Sequence, residues 1–127
     1  MNKQEHLNDL VERMKEVQWF IKDIKSDLKY ELVGETGMKA EILIRLLQFI
    51  DFTDTQRIRD GEIPGEGCMS SDTYKLLIEL MDLVNSFIRH FTPNYTYEIC
   101  RDKLKETKGT AHQFVNALKK ELENDAN

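Results

Sequence analysis

Leu7, Leu10, Met14, Val17, Ile21, Ile24 and Leu28 succeed one another at alternating three- and four-residue steps. In a helix of 3.6 residues per turn, that spacing keeps one side apolar for three heptads. No β-strand reading survives it, because a half-buried strand needs alternation every two residues. The spacing predicts a first helix over residues 5–31, about 40 Å long at 1.5 Å per residue. Gly34 and Gly37 follow it and are expected to supply the stop.

The rest of the chain repeats the theme. Ile42, Leu43, Ile44, Leu46, Leu47, Phe49 and Ile50 make a second helix over 38–58 apolar around most of its circumference. Such a helix is normally central in a bundle; otherwise it leaves an exposed apolar patch that needs a partner. Ser70 or Ser71 can cap a third helix over 72–91, which Pro93 ends. It should be nearly buried as well. A fourth helix begins near Tyr95. Gly109 weakens its middle, and Thr110 to Gln113 reads as a capping box, so a break is expected at Lys108–Thr110, giving helices over 95–107 and 111–124. The fold class is therefore all-α: a single domain, an antiparallel bundle of four to five helices, with helices 2 and 3 the most buried. Its 127 residues suffice for a core without a metal or disulfide. The longest connection, Thr53 to Ser71, holds Pro64-Gly65 and no phosphate-binding glycine pattern.

Compartment follows from weaker signals. Cys68 and Cys100 form no Cys-x-x-Cys pair, and Met1 to Asp9 is polar, unlike a leader. No stretch of about eighteen apolar residues occurs. A cytoplasmic protein with free thiols is expected. The net charge of −5 is concentrated in residues 51–82, which alone sum to −5. A nucleic-acid partner is unlikely on that sign, whereas a basic protein suits it.

Chemistry-bearing residues are sparse. Asp23, Asp27 and Glu31 share a face of helix 1, and Glu79 and Asp82 form a Glu-x-x-Asp pair. Inward acids on facing helices can hold Mg²⁺, as in the all-α nucleotide pyrophosphohydrolases, but helix 2 has no dense acidic signature to complete such a site. The helix 1 acids also interleave with Lys22, Lys25 and Lys29, as on a solvated face. His6, His90 and His112 have no metal-ligand spacing and read as surface or ordinary hydrogen-bonding residues. No catalytic set, metal site or cofactor is expected. Arg101, Lys103, Lys105 and Lys108 spread over several faces and are interrupted by Asp102 and Glu106, although Tyr95 and Tyr97 could stack on bases.

Trp19 stands apart. It points about 180° away from the helix 1 stripe, with Tyr30 on the same outer side. It is either an interface anchor or core in a sandwiched helix. The expected function is a non-enzymatic regulatory, inhibitor or assembly protein. Its expected partner is another protein, a basic one or a second copy of the chain in a homo-oligomer. The partner-binding residues are Trp19 and Tyr30 together with the acidic residues Asp54, Asp60, Glu62 and Glu66. A metal-dependent hydrolase and a helical nucleic-acid-binding subunit are the alternatives.

Overall fold

The computed structural model describes residues 2–59, 69–91 and 94–126, with the side chains of 55–59 and 125–126 excepted. They form four helices: α1 (Lys3–Lys29), α2 (Val33–Arg59), α3 (Ser71–His90) and α4 (Tyr97–Ala126). α1 packs on α2 and α4, and α3 packs on the same two; among the described residues neither diagonal pair of helices comes together. This is the up-down-up-down square of an antiparallel four-helix bundle. Asp60, Glu62 and Glu66 lie outside the described residues.

All seven stripe residues of α1 are buried, joined by Leu43, Leu47 and Ile50 from α2, Leu77, Leu80 and Phe87 from α3, and Leu104, Phe114 and Leu118 from α4. Neither α2 nor α3 is central. In a square bundle every helix has two neighbours and one outer face, so α2 spends its surplus apolar residues on solvent: Met38, Phe49 and Phe52 are exposed. The exposed apolar patch, not the central helix, is the reading that survives.

Helix ends explain the differences in boundary. Asn2 starts α1 by accepting a hydrogen bond from the Glu5 amide at 2.8 Å. α1 does not stop at a glycine. Tyr30 caps it and Glu31 takes the left-handed conformation at φ 57°. Leu32 N–H then donates to the Asp27 carbonyl at 2.9 Å and Glu31 N–H to that of Leu28 at 3.1 Å. These two bonds are a Schellman motif, with glutamate where glycine is usual. Gly34 and Gly37 are instead inside the first turns of α2. Ser70 caps α3, its hydroxyl accepting from Thr73 N–H at 3.2 Å.

The break expected at Lys108–Thr110 is absent. α4 runs unbroken through Gly109, and Thr110 is not a cap. Cys100, Leu104, Thr107, Ala111, Phe114 and Leu118 are buried without a change of phase. Packing along that continuous stripe outweighs one helical glycine, which costs only about 1 kcal/mol relative to alanine. The buried Thr107 hydroxyl is satisfied within the helix by donating to the Lys103 carbonyl at 2.7 Å.

Candidate interaction surfaces

Trp19 follows from the helix phase. With the stripe held inward by α2, α4 and the core, the opposite side must face solvent, and Trp19 is 57 % exposed. Its indole rests edge-on against Phe20, with centroids 5.0 Å apart. It borders a hollow of about 240 Å³ with Lys22, Asp23 and Ser26. Tyr30, 68 % exposed, lies further along the same side, its ring 5.9 Å from the Lys29 ammonium. Trp19 is therefore not core.

These two rings belong to a larger set. Leu32 and Val33 at the turn, and Met38, Phe49 and Phe52 on α2, are also exposed. The α1–α2 hairpin thus carries seven of the ten large exposed hydrophobic side chains among the described residues; Tyr74, Ile78 and Ile99 are the others. The sequence allowed an apolar patch on α2 but could not say which residues make it, because that depends on which side of α2 faces outward. Burying scattered apolar side chains of this kind is what a partner would do.

Polar contacts hold the hairpin together. Lys39 of α2 binds Asp23 and, at 2.6 Å, Asp27 of α1. The hydrogen bond to Asp23, then that to Asp27, raises the lysine above its usual range. Arg13 pairs with Asp9 at 2.9 Å and lies 4.8 Å from the Phe49 ring. Glu16, Glu31, Glu35 and Glu41 make no ion pair among the described residues.

Asp54 belongs to a different structure from the surface expected of it. It is buried, and its Oδ1 accepts from Nε2 of His6 at 2.8 Å. His6 is wholly buried, against the expectation of a surface ring, and its Nδ1 has no hydrogen-bond partner among the described residues. This latch joins the start of α1 to the end of α2. Two polar residues 48 apart give no local sequence signal of being partners.

The remaining candidates are separated or sealed. Glu79 and Asp82 line a groove of about 610 Å³ between α3 and α4, with Arg89, Glu106, Gly109 and Gln113. α1 does not pack on α3, so its acids cannot join them as the hydrolase alternative requires. No group of three or more His, Cys, Asp or Glu side chains is arranged to hold a metal among the described residues. Cys100 is buried and its thiol points to the backbone carbonyl of His90 at 3.8 Å, not to an imidazole. Burial pushes that thiol up, away from nucleophilic thiolate.

Fold and surfaces together define an antiparallel four-helix bundle whose most exposed apolar face is its first hairpin. Among the described residues no helix is long and apolar enough to cross a membrane. No family model, characterised protein or solved structure matches the chain.

Proposed function

We propose that this chain is a non-enzymatic protein-binding protein of regulatory, inhibitor or assembly type, working in the cytoplasm through the outer face of its α1–α2 hairpin. The supporting observation is the concentration of exposed rings and aliphatic chains there, with Trp19 as anchor. Trp and Tyr are the side chains that most often dominate binding energy at such surfaces. The partner is a protein whose contact surface is basic around an apolar centre. Glu16, Glu31, Glu35 and Glu41, which make no ion pair among the described residues, supply charge complementary to such a partner.

Trp19→Ala and Met38→Ala test this by affinity capture from the native host and by sedimentation. Recovery of a basic protein with the native chain, and its loss with either variant while the melting curve is kept, supports the reading. Unchanged partner recovery and unchanged self-association, with a large loss of stability, would sink it by making these side chains structural.

A further inference from the structure

The other edge of α1 has the opposite sign. Lys15, Lys22 and Lys29 recur every seven residues, hence in one row along the helix. On α4, Arg101, Lys105 and Lys108 recur at four and three, also one row now that the helix is continuous through Gly109. Lys103 falls outside that row.

The bundle brings the two rows to one seam. The α2-facing edge of α1 is set by the His6–Asp54 and Asp27–Lys39 contacts. The α3-facing edge of α4 is set by Glu121, which accepts from the Ser70 amide at 2.6 Å, and by the groove residues Glu106 and Gln113. Both lysine rows lie on the remaining edges, where antiparallel α1 and α4 pack on each other. No Asp or Glu interrupts either row between Lys15 and Lys29 or between Arg101 and Lys108. Lys15 pairs with Glu12 and Arg101 with Asp102, both on exposed surface. Lys22, Lys29, Lys105 and Lys108 make no ion pair among the described residues.

Four of the six cations in the two rows are uncompensated among the described residues, and their concentration on one seam of an acidic protein points to an anionic ligand. Rings stand beside these cations: at the end of the seam where α1 finishes and α4 begins, Tyr30 lies 5.9 Å from Lys29 and the half-buried Tyr97 5.9 Å from Arg101, and part-way along it Trp19 shares a hollow with Lys22 and Asp23. Cations tracking a backbone with rings for successive bases are the recognition pattern of unpaired strands, whereas a duplex hides its base faces and an acidic peptide has none.

We infer that the α1–α4 seam binds single-stranded nucleic acid, with phosphates on the two basic rows and bases on Trp19, Tyr30 and Tyr97. This surface meets the hairpin face assigned to a protein partner at Trp19 and Tyr30, so the lysine variants, which leave those rings in place, are what separate the two assignments.

The test is fluorescence anisotropy of a labelled oligo-dT or oligo-rU of about 12 nucleotides, within the usual footprint of sequence-tolerant sites. Binding at about 50 mM salt should weaken steeply as salt rises. The triple variant Lys22→Gln, Lys105→Gln, Lys108→Gln should bind at least about tenfold more weakly, with a salt slope shallower by about 2. The corresponding triple arginine variant should bind like the native chain, and so should Lys75→Gln on α3. Trp19→Ala should cost a further fivefold or more, at about the worth of one stacked base. No binding at low salt would overturn the inference. So would equal binding of polyglutamate or of a duplex of the same length, or a Lys75→Gln loss matching that of the triple variant.

Discussion

The two edges of α1 differ in chemistry although they belong to one helix. Toward α2 it presents Asp9, Asp23 and Asp27, answered by Arg13 and Lys39, and sends His6 to the buried Asp54. Toward α4 it presents Lys15, Lys22 and Lys29, and α4 answers with more cations. The first edge is stabilised by its neighbour; the second is not. A net charge of −5 averages these edges and conceals both. Sign and sum describe the chain, but the arrangement of charge around a bundle governs what meets it.

The largest effect should come from breaking the buried latch on the α2 edge. Asp54→Ala removes the described partner of Nε2 in a fully buried His6 whose Nδ1 has none among the described residues. It should lower stability by about 2–4 kcal/mol in urea unfolding, the range for orphaning one side of a buried polar pair. A change under about 0.5 kcal/mol, the size of an ordinary surface substitution, would mean that the pair is not holding the hairpin.

Alkaline pH should act next, and on both sides of the molecule. Cys100 is raised by burial, Tyr74 by its hydrogen bond to Asp51 and then by burial, and Lys39 by Asp23 and Asp27. Each folded-state value lies above the ordinary one, so the folded chain holds these protons more tightly than the unfolded chain. Their contribution is complete below the ordinary values of 9.0, 10.0 and 10.5 and is lost as pH rises through the folded ones. The melting temperature should therefore decline from about pH 9 upward, starting later in Cys100→Ala. A flat profile to pH 11 contradicts this.

Two glycine exchanges sharpen the contrast further. Gly109→Ala fills open space in α4 and should stabilise by about 0.5–1 kcal/mol, stiffening the helix that carries the basic row. A loss of stability there would mean that α4 does bend at Gly109. Glu31→Gly relieves the left-handed residue at the end of α1. Its gain should be smaller, a few tenths to about 1 kcal/mol, because glycine also loosens the unfolded chain. The smallest change belongs to Trp19→Ala, within about 0.5 kcal/mol as for other exposed sites, measured by thermal melting.

Much of this was legible from spacing. The α1 stripe is buried at every position named from its period, because a heptad pattern states which side of a helix faces inward without reference to a partner. The Ser70 cap was legible for the same reason: it is local, satisfied by an amide three residues on. The expected stop at Gly34 and break at Thr110 failed where local signals met longer-range packing. Trp19 could be placed opposite the stripe, but whether anything covered it depended on the number of neighbours around α1.

By itself, then, the order of residues determined an all-helical bundle, the inward face of α1 and the cap of α3, since those depend on hydrogen bonds and periodicities spanning a few residues. Only the tertiary structure decided that Asp54 turns inward to His6, that α2 faces outward with Met38, Phe49 and Phe52, and that lysines from α1 and α4 share one seam. Each of those depends on which helix lies beside which, and that choice is made by packing between segments far apart in the chain.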